Sequence, residues 1–422
     1  MRGDIPVKFP IFAAALAAVA TASAGAQHGP QPGAPLSLAE AVLISERSEE
    51  PGVLAWRQRS ASLEALGESE NSRPDPSIRI AANNMRLDDF DLNREAMTQG
   101  EVRVRQSFLR GETGELRQAR RAAQADGAEA RGVLRQSEIR REVRESWLDA
   151  FYWEQAGQLT SQRRDELRQL GEIALATFAT GRSNAADVIR VDLETAVLDT
   201  RLVDIERFAH HARTRLARYL GEAAHRPLAG RLPHLPALPQ AEAIEAVFAR
   251  HPSVAVQDAE IRAGEREIDL ARQAFKPAWS VDAGYGVRDS RSDFASVGVS
   301  VEIPLFNRDA REAGVTSARE ARSAEELERR ALLLDLRREW ERLLSDRSSR
   351  EASIALYERN VLPNARETAE AVMTAYENGQ ADFPELVRAE LALLDAELAL
   401  LRLNVDALKA EAGLLYLAGD IQ

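Results

Sequence analysis

The sequence predicts a mainly α-helical protein with a β-barrel portion, in which one helix–strand–helix unit occurs twice. Three observations predict this class: long stretches repeat apolar residues at helical spacing, four short stretches alternate apolar and polar residues, and landmarks of the first half recur in the second half. The chain has 422 residues, of which 45% are hydrophobic and 29% are charged, so it can form a large folded body. Aromatic residues make up only 5%, which favours long helices over a compact mixed core.

The repeat divides the chain into a first copy at residues 27–225, a Pro-rich linker at 226–240 and a second copy at 241–422. Landmarks of the long helical hairpins are 198 residues apart in the two copies, and prolines of the preceding helices are 201 residues apart. The pairs are Phe178 with Tyr376, Gly181 with Gly379, Asp187 with Glu385, Pro51 with Pro252, and Pro76 with Pro277. So regular an offset indicates an internal duplication.

The N-terminus has the features of a secretory signal peptide over residues 1–26. Two basic residues precede the apolar run Ile11–Ala20, and small residues then offer cleavage after Ala24 or Ala26. The run is too short to span a membrane as a helix, and a buried N-terminal helix is the alternative interpretation. We therefore expect an exported protein, which fits the absence of cysteine from the sequence.

Each copy begins with a broken helix and ends in a long hairpin. In the first copy Ser37 is the expected N-cap of a helix that is interrupted near Pro51. In the second copy the longest helical patterns run over Ala310–Tyr376 and Glu385–Leu417. At 1.5 Å per residue these helices extend about 100 Å and about 50 Å, respectively. No single globular core is that thick, so the pattern predicts extended antiparallel helical hairpins.

Two strands are predicted between the helices of each copy. Apolar and polar residues alternate over Ile78–Asn83 and Val102–Arg105, and again over Trp279–Val287 and Val297–Ile303. Such strands are typical of a transmembrane β-barrel, with a soluble sheet packed on helices as the alternative. A sheet in lipid must close on itself, and four strands are too few to do so. We therefore expect an oligomer in which each chain contributes four strands, so that a trimer would provide twelve, and the long helices can continue the same tube by packing side by side.

Composition and motifs argue against several other functions. A net charge of −12 does not fit a nucleic-acid partner, and the lack of cysteine excludes cysteine-based metal sites and thiol catalysis. No phosphate-binding loop, zinc-protease motif or nucleophile elbow occurs. The adjacent His210 and His211 point about 100° apart on a helix, so they do not form a metal site on one face. We expect no enzyme, no cofactor and no metal site.

With these features the chain resembles the outer-membrane efflux protein (TolC-like) family. The resemblance rests on the twofold repeat, the order of helices and strands, and the hairpin turns Phe178-x-x-Gly181 and Tyr376-x-x-Gly379. The runs Pro304–Arg308 and Val361–Pro363 are similar to the heavy-metal efflux branch of that family. A proline inside the long helix is expected to bend it.

The resemblance implies a homotrimeric channel in the cell outer membrane with a large periplasmic portion. The channel is implied to be the passive exit duct of a tripartite efflux system, which receives its substrate from a periplasmic membrane-fusion adaptor and an inner-membrane resistance-nodulation-division pump. Heavy-metal cations are the expected substrate, and multidrug or other small-molecule efflux is the alternative within the family. A soluble periplasmic coiled-coil adaptor or structural protein is the alternative from a different class.

The resemblance also implies that the two hairpin turns form a periplasmic tip, where the pore closes. Glu385 and Asp187 match the acidic position six residues after the tip glycine, and Asp382 lies nearby on the turn. Rings of symmetry-related carboxylates attract cations in a pore. Arg388 and Arg190 follow three residues later and could instead pair with Glu385 or Asp187 and hold the tip closed. Acidic residues are also favoured at any helix N-terminus by the helix dipole.

The turn residues themselves are implied to face the adaptor. They are the aromatic residues Phe178 and Tyr376 and the glycines Gly181 and Gly379. The predicted site therefore consists of two similar hairpin ends, one from each copy.

Overall fold

A computed structural model describes residues 34–85, 95–180, 184–239, 244–289 and 291–419. The predicted signal peptide, with its cleavage positions, and Gly181 of the first hairpin turn lie outside these described residues. Pro35–Gln422 forms one compact unit.

Each half of the chain begins with short helices. Helix α1 spans Leu38–Arg47, and the Ser37 hydroxyl accepts a hydrogen bond from the Glu40 N–H at 3.2 Å, which confirms the predicted N-cap. Helix α2 follows at Pro51–Asn71, with the proline in its first turn, where it costs no hydrogen bond. In the second half the corresponding helices are α5 at Ile244–Phe248 and α6 at Pro252–Gln273.

Long helices follow the strands in both halves. Helix α3 (Thr113–Ala179) has 67 residues, which corresponds to about 100 Å, and the 36-residue helix α4 (Ala185–Leu220) leads back from the turn. In the second hairpin, two successive helices lead to the turn and a third leads back from it. The long helices are α3 (Thr113–Ala179), α4 (Ala185–Leu220), α7 (Arg308–Leu356), α8 (Leu362–Glu377) and α9 (Phe383–Leu417).

A π-helical turn at Tyr357–Val361 separates α7 from α8. The Leu362 N–H donates to the Tyr357 carbonyl, five residues back, just before Pro363 in the first turn of α8. Because proline lacks an N–H and crowds the carbonyl four residues earlier, the wider turn accommodates it within a continuous helical path. The structure thus has a π turn next to Pro363, where the sequence predicted a bend.

The strands form one antiparallel sheet in the order β1-β2-β3-β4. The four strands are β1 (Ser77–Asn83), β2 (Gln99–Phe108), β3 (Ala278–Val287) and β4 (Phe294–Glu302). Strand β2 of the first half pairs with β3 of the second half, so that Val102 lies opposite Tyr285 and Val104 opposite Ala283. Within the single chain the sheet is open, with β1 and β4 as its edges.

The helical body has two main apolar cores. One surrounds Trp147, which is fully buried with Leu148 and Leu216. The other lies where the first hairpin packs on α9, and it includes Leu167 and Leu386. Among the residues that the structure describes, no helix carries an apolar stretch long enough to cross a membrane.

Candidate functional sites: the sheet and the hairpin tips

One face of the sheet is apolar and exposed; we call it the outer face. Its large members are Ile78, Ile80, Val102, Val104, Trp279, Tyr285, Val287, Val297, Val299 and Val301. Ile80 and Val297 are each 81% exposed, so the described helices do not cover this face. Contiguous apolar patches of this kind mark a surface that meets lipid or another protein. The outer face is therefore not packed on the described helices of its own chain.

Aromatic side chains lie at both ends of the sheet. Near the helices, the rings of Phe108 and Trp279 stack with centroids 4.0 Å apart. At the opposite end, the Tyr285 hydroxyl donates to Asp293, and the Arg288 guanidinium lies 3.7 Å from the Phe294 ring centroid. Aromatic residues that flank an apolar band on both sides are typical of strands that cross a membrane.

The opposite face of the sheet, which we call the inner face, is polar. The Arg103 guanidinium contacts two acidic side chains, with 2.6 Å from Nη2 to Glu101 Oε1 and 2.9 Å from Nη1 to Asp282 Oδ2. Asn83 Nδ2 donates to the other Glu101 oxygen at 2.6 Å. The sheet therefore pairs its charges within one face and leaves its apolar side chains on the other.

The ends of the two hairpins lie side by side around an open cavity of about 1260 Å³. Five of the predicted site residues line it: Phe178, Asp187, Tyr376, Gly379 and Asp382. Glu385, Arg190 and Arg388 do not line the cavity; all three are exposed within the first two turns of α4 and α9. The structure thus brings the turn residues of both copies together around one cavity, but Glu385 lies outside it.

The second tip is shaped by helix-ending and helix-starting residues. Gly379 adopts a φ of +69°, and its N–H donates to the Tyr376 carbonyl at 3.0 Å as α8 ends. Asp382 then caps α9 by accepting from the Glu385 N–H at 2.9 Å. The next residue, Phe383, is buried and meets the Tyr376 ring edge-on at 5.6 Å between centroids. One oxygen of the Asp382 carboxylate therefore accepts a hydrogen bond from the start of α9.

The first tip uses a different cap. Asn184 and Asp187 form a capping box, in which the Asn184 N–H donates to Asp187 Oδ2 at 3.2 Å and the Ala186 N–H donates to Asn184 Oδ1 at 3.1 Å. Burial raises the pKa of the Tyr376 hydroxyl, and the nearby Asp187 carboxylate raises it further, whereas a hydrogen bond with Thr177 opposes the shift. The two tips therefore meet through an aromatic residue of the second copy and an acid of the first.

The alternative arginine latch is not formed among the described residues of one chain. Arg388 Nε donates to the Pro384 carbonyl of its own helix at 3.1 Å. Among the described residues, no ion pair joins Arg388 to Glu385 or Arg190 to Asp187. An exposed ion pair contributes only about 0–1 kcal/mol to stability. Water and the nearby Pro384 carbonyl can therefore compete with Glu385 for the Arg388 guanidinium.

A charged cluster that the sequence reasoning missed connects the two hairpins. Arg163 of α3 contacts Glu390 of α9, and its Nη2 lies 3.4 Å from Glu397 of the same helix. The Arg163 and Glu390 side chains are only 13% and 12% exposed. Glu390 interrupts the apolar stripe of α9 that includes Leu386 and Leu394, which was the available signal that it has a basic partner.

In the part of the chain that the structure describes, no group of three or more histidine, aspartate or glutamate side chains could hold a metal ion. His210 and His211 are both exposed on α4.

Comparison with known proteins identifies the type of molecule. Residues 243–420 match the family "Outer membrane efflux protein". The cobalt-zinc-cadmium resistance protein CzcC of Cupriavidus metallidurans is 25% identical over 284 residues, which cover 66% of this chain and 66% of that protein, just under two thirds of its length. The resemblance found in the sequence is confirmed.

Solved structures show the same fold. CusC superposes with a TM-score of 0.76 and 16% sequence identity, over 90% of this chain and 91% of that one. The outer membrane protein VceC of Vibrio cholerae superposes with a TM-score of 0.73 and 15% identity, over 90% of this chain and 96% of that one. The family and the matched structures are channel proteins and not enzymes.

Proposed function

We propose that this chain, a member of the outer membrane efflux protein family, forms the passive exit duct of a tripartite efflux system. The observation that carries the proposal is the exposed apolar outer face of an open four-stranded sheet that is joined to helices about 100 Å long. A lipid-facing sheet anchors the protein in the outer membrane, and the long hairpins extend into the periplasm.

The open sheet supports a homotrimer. Edge strands β1 and β4 present unpaired backbone groups, which hydrocarbon does not satisfy, so neighbouring copies must pair with them. Three copies provide twelve strands, which is within the size range of known outer-membrane barrels. The helices also carry apolar side chains that the single chain leaves exposed, such as Leu193 on α4 and Leu334 on α7. Side-by-side packing of copies covers these positions and forms an α-barrel.

The domain boundaries follow from the same proposal. Residues 1–26 are a signal peptide that export removes, and residues 27–225 and 241–422 are duplicated repeats joined by the linker 226–240. The recurring order of two helices, two strands and a long hairpin supports the duplication.

The hairpin ends are the proposed periplasmic tip. Phe178, Gly181, Tyr376 and Gly379 face a periplasmic membrane-fusion adaptor, which connects the duct to an inner-membrane resistance-nodulation-division pump. Glu385 is the acidic residue best placed to line the constriction, because its side chain is exposed and has no ion pair among the described residues. Asp187 and Asp382 contribute charge there while they cap their helices.

Heavy-metal cations are the proposed cargo, because the relative CzcC is named for resistance to cobalt, zinc and cadmium. A strain that lacks the gene should become sensitive to these metals while its sensitivity to a panel of drugs stays unchanged. The opposite pattern would assign the duct to multidrug or other small-molecule efflux.

Fractionation and mass measurement test the duct. We expect the protein in the outer-membrane fraction, extracted only with detergent, with native mass spectrometry showing three chains. Recovery as a detergent-free periplasmic monomer would contradict the proposal. At the tip, Glu385→Ala in reconstituted channels should change cation selectivity or closed-state conductance, whereas Glu320→Ala, which removes the same charge from an exposed position on α7 outside the tip cavity, serves as the matched control.

A further inference from the structure

The inner face of the sheet carries equal numbers of positive and negative side chains in the described strands. These residues are Arg79, Arg103, Arg105, Glu101, Asp282 and Glu302. A surface with three charges of each sign has no net charge, although both signs are present at high density. The balance depends on how the charges are paired.

Arg103 is the centre of that pairing. It contacts Glu101 and Asp282, which come from different halves of the chain, and Arg105 Nη2 lies 3.9 Å from the remaining Asp282 oxygen. The Asp282 side chain is only 6% exposed, although it lies on an open sheet, because Arg103 covers it. Without Arg103, Glu101 would keep Asn83 as its side-chain hydrogen-bond partner among the described residues, and Asn83 carries no charge.

Glycines allow these side chains to lie flat on the sheet. A Cβ atom at Gly284 would lie 2.7 Å from Glu101 Oε1, and one at Gly298 would lie 3.0 Å from both Asp282 carboxylate oxygens. The first distance is shorter than real Cβ atoms show and the second is at the tight limit of their contacts, so the two acids occupy space that a larger residue would need. The charged layer therefore lies along the wall and does not project away from it.

We propose that Arg103 is a specificity-determining residue, which makes the outer-membrane end of the duct indifferent to the charge of the solute by neutralising Glu101 and Asp282. The inference rests on the proposed function, in which the inner face lines a water-filled tube. In a trimer the layer occurs three times, so loss of Arg103 leaves three unbalanced negative charges around one lumen. Such a ring attracts cations and repels anions.

A single introduced thiol can measure the local potential, because the sequence contains no cysteine. Ser300 lies on the inner face opposite Ser280 and belongs to no ion pair, so Ser300→Cys places the probe beside the charged layer. In liposomes at low salt, we compare its labelling rates by methanethiosulfonates that carry a trimethylammonium or a sulfonate group. The ratio of the two rates reports the sign of the potential at the wall, independently of the periplasmic tip.

We expect Arg103→Gln to raise the cation-to-anion rate ratio about fivefold at low ionic strength, where screening is weak. Glu101→Gln should lower the ratio by a similar factor, and Arg103→Lys should leave it unchanged. Arg330→Gln is the matched control, since it removes the same charge from an exposed position on α7, away from the sheet and the hairpin tips, and should not affect the ratio.

The outcomes separate this inference from the function beneath it. If the thiol reacts with both reagents but neither Arg103→Gln nor Glu101→Gln changes the ratio, the role of Arg103 is refuted and the duct remains. If the thiol in the folded, membrane-inserted protein reacts with neither reagent but does react after unfolding, the inner face is not water-lined and the duct itself is refuted. Should Arg103→Gln fail to insert, Glu101→Gln still tests the role through its opposite sign.

Discussion

The sheet and the helical body of this chain place their apolar residues on opposite sides. In the helical body, Trp147 and Leu386 are fully buried in apolar cores. In the sheet, Ile80 and Val297 point outward, and the charges of Arg103 and Asp282 are paired on the other face. The two regions are therefore suited to different surroundings. Burying apolar side chains is favourable where water surrounds the protein, whereas apolar side chains can stay exposed where lipid does.

The largest expected difference between the two regions is in the stability lost when one tryptophan is removed from each. Trp147→Ala should destabilise the protein by about 3–5 kcal/mol, because it leaves a cavity in a fully packed core. Trp279→Ala removes a ring of the outer face, and we expect a loss of about 1 kcal/mol, mainly from its stacking on Phe108. Thermal unfolding in detergent measures both. Equal losses would contradict the distinction between the regions.

A charge placed on either face of β4 tests whether only the outer face meets lipid. Val299→Arg puts a cation on the outer face, and it should cost about 2–4 kcal/mol of membrane insertion if that face meets lipid. Ser300→Arg, one residue later, points to the inner face and should insert almost normally. The amount of each variant in the outer membrane is the measurement, and similar depletion of both variants would argue against a lipid-facing side.

In the helical body, the largely buried pair of Arg163 and Glu390 resembles the paired charges on the inner face of the sheet. Arg163→Gln leaves Glu390 nearly buried without its cation, so we expect a loss of about 2 kcal/mol in the stability of the hairpin contact. Arg201→Gln, at the exposed pair with Asp395, is the control and should cost less than about 1 kcal/mol. Hydrogen exchange of α9 amides would detect the weakening, and unchanged exchange would mean that apolar packing alone holds the hairpins together.

The smallest expected effect is acid sensitivity at the junction between α2 and α3. The hydrogen bond from Arg121 lowers the pKa of Glu70 in the folded protein. Its contribution is therefore fully present above the unfolded pKa of 4.5 and is lost as the pH falls through the folded pKa. The stability difference between the wild type and Arg121→Gln should be constant from pH 6 to 7 and shrink below about pH 4.5. A difference that persists in acid would assign it to packing.

Local patterns in the sequence were sufficient for much of the fold. The alternation along β3 and β4 predicted both strands and their apolar side, and Ser37 and Gly379 marked a helix start and a turn. These features depend on neighbours within a few residues, so one sequence can carry them.

Long-range pairings could not be predicted in the same way. Arg103 and Asp282 are 179 positions apart, and Arg163 and Glu390 are 227 positions apart. Each pair forms only because β2 meets β3 or because the first hairpin packs on α9. At the tip, Arg388 had both a carboxylate and a backbone carbonyl within reach, and spacing alone did not decide between them.

Spin labels at two adjacent positions test most directly whether the outer face meets lipid. Because the sequence contains no cysteine, Val299→Cys and Ser300→Cys can each carry one nitroxide in protein reconstituted into liposomes. We predict that the label at position 299 is accessible to oxygen, which concentrates in lipid, and that the label at position 300 is accessible to a water-soluble nickel chelate. If both labels are accessible to the nickel chelate and neither is enriched in contact with oxygen, the sheet is wet on both faces and the membrane duct is contradicted.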